Sequence, residues 1–243
     1  MVKHIFTILF MLTEFTIAQY TLDHVIFTTP DLSQTKQTLD SLGFTTKPGR
    51  LHANGINNIF VKFQTGPYLE FIEVKYAKDR LAEFYKQHTD SASINPIFLS
   101  FRIDDNTLDS LKKFYSENNI DHNITDLKYA KLLGLPLVRD YKPYFFINYT
   151  HLPDDTAYIN HNNGALYIED IKVGKSMASI LKNVVNINYF ESSSGNLIDQ
   201  ISIKIKHIDK LFNQTKNVTV RQHHGTTGVS CSIDDKLEII FIE

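Results

Sequence analysis

Across residues 20–74, apolar and polar positions alternate in an order that predicts one βαβββ unit. In TLDHVIFTTPDL, Leu22, His24 and Ile26 alternate with Asp23, Val25 and Phe27 over a branched run, which predicts a strand with His24 on the side of Leu22 and Ile26. Pro30-Asp31 break the alternation; Leu32, Leu39 and Leu42 then recur at helical spacing as far as Gly43, a left-handed stop. Pro48-Gly49 and Asn54-Gly55 signal turns, and residues 59–63 and 68–74 read as two further strands. Period two sets Glu70 beside Tyr68 and Ile72. His24, His52, Asn58 and Glu70 therefore stand where a packed sheet would be apolar, and His24 and Glu70 are expected to face an apolar concavity.

The rest of the chain repeats this logic. Residues 97–103 (IFLSFRI) read as a strand, and Leu108, Leu111 and Phe114/Tyr115 as a helical stripe ending near Asn118-Asn119. After a less regular segment with Gly134 and Pro136, residues 144–149 form a strand and HLPDD a polar turn, which closes a second module. A third strand–helix start falls at 165–173 and 177–185, followed by strands at 200–205, 227–233 and 237–242. The final LEIIFIE echoes LEFIEV in the first module. The modules run over about 20–75, 97–150 and 165–243.

The first nineteen residues stand apart. A basic start, an apolar run over 5–12 and small residues at Thr16 and Ala18 suit a cleaved secretory signal, while the short run, sparse positive charge and Glu14 suit an N-terminal extension. The run falls well below the roughly 18 residues of a membrane span. A length of 243 residues is enough to bury a substantial core. A net charge of −2, with no long Lys/Arg run, provides no basic field for nucleic acid. Cys231 is the single cysteine, which excludes an intrachain disulfide or a multi-cysteine metal knuckle and agrees with a cytoplasmic setting; secretion is the alternative if a signal is removed.

LDH at 22–24, PDL at 30–32, LGF at 42–44, His-x-x-Gly-x-x-Asn from His52 to Asn58 and YLE at 68–70, followed by PYFFINY at 143–149 and HNNGA at 161–165, resemble the glyoxalase-like branch of the vicinal oxygen chelate superfamily. Ile56 departs from the pattern, standing where that motif often carries threonine. The resemblance covers most of residues 20–170. It implies an α+β fold of repeated βαβββ modules forming cupped mixed sheets flanked by helices. It also implies a cavity for a small molecule, and in the metal-dependent members a divalent ion held by the first and last strands of paired modules. Imidazole and carboxylate suit such an ion.

On this resemblance His24, Glu70 and Glu238 are the expected metal ligands, the ion's identity being open. His52 and Glu70 are the expected catalytic groups, and Asn58, His161 and Asn163 the expected substrate contacts. The strands IFLSFRI and ALYIEDIKV lack the further histidine such a site needs, with Glu169 the nearest acidic substitute. Arg139 is a candidate carboxylate binder, and His223-His224 a solvated pair before Gly225. Two functions follow. One is Lewis-acid chemistry of lyase, isomerase or dioxygenase type on a small substrate. The other is metal-free binding or sequestration of an apolar or aromatic molecule between Tyr and Phe walls. The expected partner is that small molecule, with neither nucleic acid nor a membrane span; a homodimer is compatible. No phosphate-binding Gly-rich loop or Gly-x-Ser-x-Gly elbow is present in the sequence, which removes kinase, dehydrogenase and serine-hydrolase readings.

Overall fold

The branched run at residues 22–27 lies within strand β1 (Thr21–Thr28) of the computed structural model. The structure describes residues 20–89, 93–135, 143–152, 154–182, 184–194, 197–208, 211, 219–223, 226–232 and 238–243. Residues 1–19, Arg139 and His224 lie outside them.

Asp31 caps helix α1 (Leu32–Ser41) by accepting from the Gln34 amide, and Leu32, Thr35 and Leu39 form its buried stripe. Gly43, at φ 80°, turns the chain out of the helix in a conformation that disfavours side chains with a Cβ. Strands β2 (Lys47–Pro48), β3 (Ile56–Val61) and β4 (Tyr68–Val74) complete the first unit. Helix α2 (Arg80–Gln87), capped by Asp79, leads to the second unit. That unit holds β5 (Asn95–Arg102), α3 (Asp105–Glu117, capped by Asp104), β6 (Asn123–Asp126), β7 (Ala130–Gly134) and β8 (Tyr144–Tyr149). The apolar pattern alone did not anticipate α2 or the β6–β7 hairpin. All four β6 side chains are exposed, so no alternation marks it, and the eight residues of α2 give barely two turns of periodicity.

Both units share one eight-stranded sheet, ordered β2-β3-β4-β1-β5-β8-β7-β6. At its centre β1 and β5 run antiparallel, and each lies parallel to the last strand of its own unit. The central pairing is symmetric about Val25 and Leu99: His24 faces Ser100 and Ile26 faces Phe98. Exchanging the units therefore exchanges His24 with Phe98. Because Glu70 pairs with Ile26 and Phe145 with Ser100, it also exchanges Glu70 with Phe145.

The second sheet repeats the plan in reduced form. Strand β9 (Ala165–Gly174), α4 (Lys175–Leu181) and β10 (Asn188–Ser192) are followed by β11 (Ile198–Ile205), β12 (Thr219–His223), β13 (Thr226–Ser232) and β14 (Glu238–Ile242). They form a six-stranded sheet ordered β10-β9-β11-β14-β13-β12, again with an antiparallel centre.

One apolar cluster joins the sheets. Val25, Phe27, Leu69, Phe71, Leu99 and Phe101 of the first sheet meet the stripes of α1 and α3, and continue into Ile171, Ile201, Ile239 and Phe241 of the second. Phe44 and Phe241 touch at 5.8 Å between ring centroids. Each sheet thus turns one face to a shared core, and the other face away from it. On the outward face of the first sheet, α2 buries Ala82, Phe84 and Tyr85 against Ile26, Ile72 and Phe98, filling one end. The other end is polar. No helix among the described residues is long and apolar enough to cross a membrane.

Candidate functional site

The polar end is built around a kink in β1. The β1–β5 register shifts between Leu22 and His24, so Asp23 is an extra residue in the strand. Leu22 consequently joins Val25 and Phe27 in the shared core, not His24 and Ile26 as strict alternation would have it. The bulge also lets Asp23 and His24, neighbours in sequence, meet on the outward side: Asp23 Oδ2 lies 2.7 Å from His24 Nδ1. Both residues are buried, at 2% and 3% exposure.

Asp23 is held from the second unit as well. The Arg102 Nε donates to its Oδ1 at 2.8 Å, with Nη2 closing on the same oxygen, and the Tyr149 hydroxyl donates to Oδ2 at 2.8 Å. Burial alone would raise the Asp23 pKa, but the hydrogen bond and charge of His24 and the Arg102 guanidinium outweigh it and hold the carboxyl well below the usual carboxylate range. Burial, reinforced by the Asp23 charge, pushes the Tyr149 phenol well up, and burial does the same to Tyr68, 3.4 Å away hydroxyl to hydroxyl. Both phenols stay protonated across the physiological range.

On the far side of the imidazole stands Glu70. The β1–β4 register aligns His24 with Tyr68 and Ile26 with Glu70, so these side chains share a face. The Tyr68 ring stacks on His24 at 4.6 Å, and Phe145 meets its edge at 5.9 Å. His24 Nε2 lies 3.4 Å from Glu70 Oε2, while the other Glu70 oxygen accepts from Asn58 Nδ2 at 2.7 Å. Asn58 is aimed by its own turn. Its Oδ1 accepts the Arg50 amide at 3.1 Å, and Gly49 packs so closely that a Cβ there would stand 1.9 Å from that oxygen.

His52 is half-buried at the same margin. Burial and the Arg50 charge lower its pKa, and the Glu70 charge opposes them. Its backbone closes the turn through bonds to Ile56 and Gly55. Phe60 and Lys62 complete the wall: Lys62 Nζ sits 3.0 Å from the centre of the Tyr68 ring and 3.3 Å from Asp155, which also pairs with Lys47. Burial lowers the Lys62 pKa, and Asp155 counters part of the effect. Arg102, Tyr149, Lys62 and Asp155 were not among the residues expected from the sequence. They come from separate elements, and only the sheet order brings them together.

The structure does not bring every expected residue to this place. His161 accepts the Thr45 amide on Nδ1 at 2.9 Å and donates from Nε2 to the Lys62 carbonyl at 2.7 Å, so both ring nitrogens are committed to backbone. Burial lowers its pKa. Asn163, fully buried, donates to the Leu42 carbonyl at 2.8 Å and accepts the Ala165 amide at 3.0 Å. This His-Asn-Asn-Gly turn fastens the end of α1 to the start of the second sheet.

Glu238 lies in that second sheet, on the face turned away from the shared core, and its carboxylate takes the Ser230 hydroxyl. The bulge of β1 recurs in β11 between Ile198 and Gln200, so Asp199-Gln200 stand where Asp23-His24 stand in the first sheet. Gln200 pairs with Glu238 as His24 pairs with Tyr68, and Ile240 occupies the counterpart of the Glu70 position. The LEIIFIE echo is thus two residues out of register.

These placements decide the fit of a divalent ion. The face offers His24 and Glu70, but the positions related to them by the symmetry of the sheet carry Phe98 and Phe145, and Glu238 belongs to the other sheet. Among the described residues, no group of three His, Cys, Asp or Glu side chains gathers as a metal site. Among the described residues, the donor set does not fit an ion held by these side chains alone.

Comparison with known proteins agrees with the architecture. The chain is similar over 92% of its length to 88% of a catechol 2,3-dioxygenase, with a TM-score of 0.59 at 10% identity. It is similar over 91% of its length to 98% of a hypothetical protein from Staphylococcus aureus, with a TM-score of 0.55 at 14% identity. It is also similar over 93% of its length to 90% of the 2,2',3-trihydroxybiphenyl 1,2-dioxygenase of dibenzofuran-degrading Sphingomonas wittichii strain RW1, at a TM-score of 0.54 and 10% identity. At such identities the likeness shows the fold alone. Among curated proteins no sequence matches. Residues 22–184 match the family of the glyoxalase-like domain, and with that match the chain belongs to the glyoxalase-like family of the vicinal oxygen chelate fold.

Proposed function

We propose that the outward face of the first sheet is a small-molecule site where His24 and Glu70 exchange a proton with a compact planar ligand, in the manner of a lyase or isomerase. One observation carries this reading: an imidazole nitrogen and a carboxylate oxygen approach to 3.4 Å inside a buried, hydrogen-bonded surround. Geometry of this kind precedes pKa in assigning acid–base roles. Asn58 holds one Glu70 oxygen and leaves the other facing the imidazole. Phe60, Tyr68 and Phe145 supply aromatic walls, and half-exposed His52 stands at the margin as the group to pass the proton to solvent. His161 and Asn163 are read as structural, their polar atoms being committed to backbone. Because Phe98 and Phe145 stand where further ligands would be needed, the proton chemistry is placed on the protein's own groups.

The aromatic walls also favour a second reading, sequestration of a flat apolar molecule without turnover. One experiment separates the two. Catechol, taken from the name of a structural neighbour, and a panel of hydroxyketones are tested for binding by calorimetry and for solvent-deuterium incorporation by mass spectrometry. Wild type is compared with His24→Gln and Glu70→Gln, and metal content is measured on protein purified without added metal. The proton-transfer reading expects exchange in wild type and its loss in both variants. Binding without exchange would favour sequestration; stoichiometric metal that both variants lose would overturn the metal-free assignment.

A further inference from the structure

We infer that Asp23 is a positioning residue that holds His24 in a single tautomer, with hydrogen on Nδ1 and the lone pair of Nε2 turned toward Glu70. The inference deepens the proton-transfer reading, on which it rests for its chemical use though not for its geometry. A regular strand would point Asp23 into the shared core with Val25 and Phe27; the bulge at Leu22/His24 places it beside the imidazole instead. An ionised carboxylate offers about four acceptor directions. Arg102 takes Oδ1 with two nitrogens, the Tyr149 hydroxyl takes one direction on Oδ2, and His24 Nδ1 meets the remaining one at 2.7 Å. A carboxylate so placed only accepts, so the hydrogen between it and the ring belongs to Nδ1.

The consequence lies on the other side of the ring. With the hydrogen on Nδ1, neutral His24 presents Nε2 as an acceptor, 3.4 Å from Glu70 Oε2, which is an acceptor too. Two acceptors facing one gap are stable only with a hydrogen between them. A molecule that approaches the pair from its open side and offers a hydrogen, as a phenol or enol O–H or a carbon acid beside a carbonyl does, would relieve this opposition. The Ser100 hydroxyl, opposite His24 on β5, is fully buried and has no hydrogen-bond partner among the described residues, so the strand beside the imidazole carries a further unsatisfied polar atom.

Long-range proton–nitrogen NMR of the full-length, 15N-labelled protein tests this without any ligand. His24 is assigned as the ring signal absent from His24→Gln. At about pH 8, wild type should show an N–H at Nδ1 and a bare Nε2. In Asp23→Asn, Arg102 retains the remaining oxygen and the new amide donates to Nδ1. The ratio of the two tautomers should then move toward the Nε2–H form by about tenfold or more, the worth of one charge-assisted bond. A wild-type ring protonated at Nε2, or at both nitrogens, would overturn the inference, as would an unchanged ratio in Asp23→Asn. Should that variant not fold, the wild-type spectrum still decides the tautomer, and Tyr149→Phe, which leaves the carboxylate in place, should keep it. Failure of the proton-transfer reading shows differently, as absent deuterium exchange beside an intact tautomer pattern.

Discussion

Replacing Asn163 by alanine should destabilise the whole chain. The side chain is fully buried and joins two segments distant in sequence: it donates to the Leu42 carbonyl at the end of α1 and accepts the Ala165 amide at the start of β9. Leu42 and Ala165 are themselves buried, at 5% and 2% exposure, so truncation leaves a carbonyl and an amide without solvent to turn to. At about 1–3 kcal/mol for each orphaned buried group, the expected loss is about 2–6 kcal/mol. Urea unfolding of wild type and variant, followed by circular dichroism, measures it as a lower midpoint at unchanged slope. Asn163→Asp sharpens the test. It keeps the acceptor for Ala165 but sets a carboxylate against the Leu42 carbonyl, and should be at least as destabilising at neutral pH. A loss below about 1 kcal/mol for the alanine variant, or weakened ligand binding at unchanged stability, would refute the argument that this turn is a clasp.

Three further outcomes are expected. Burial holds the folded-state pKa of His161 below its ordinary 6.5, so its contribution to stability is complete above that pH and is lost as pH falls through the lowered value. Equilibrium unfolding at stepped pH should show this loss in wild type and a flatter slope in His161→Gln; Asp23, lowered from 3.8, adds a second loss only in stronger acid. Gly49→Ala should displace Asn58, because the new Cβ would stand 1.9 Å from its Oδ1, and should reduce both stability, by about 1–3 kcal/mol, and ligand affinity in thermal-shift titration. Ser100→Ala removes a buried hydroxyl that has no partner among the described residues, so the stability of the variant should stay level or rise by up to about 1 kcal/mol; a marked fall would mean that the hydroxyl is bonded in solution.

Much of this arrangement was legible in the residues. The alternation over 22–27, the Asp31 cap, Gly43 and the strand over 68–74 locate the first unit, and period two correctly sets Glu70 with Tyr68 and Ile72 on the face of His24. The pattern failed where a strand stops being regular. One extra residue at Asp23 moves Leu22 to the opposite face and hands His24 its carboxylate, and no composition signal marks that insertion. The same kind of register sensitivity misled the reading of LEIIFIE, where Ile240 and not Glu238 corresponds to Glu70. Arg102 and Tyr149 reach Asp23 from strands 79 and 126 residues further on, a proximity set by sheet order alone. His161 and Asn163 were legible as special and not as structural, because a turn residue that binds backbone and one that binds a ligand have the same chemistry.

Helix α2 is a connection between two units, yet it occupies one end of the face that carries His24 and Glu70. The capacity of the proposed site is therefore written into a linker and not into the sheet. Repacking Ala82, Phe84 or Tyr85 would shift the apolar border of that face while leaving every strand and the His24–Glu70 pair in place. Substitutions at Phe84 and Tyr85 would therefore set the bulk of the guest that the proposed site admits, with no change to the sheet itself.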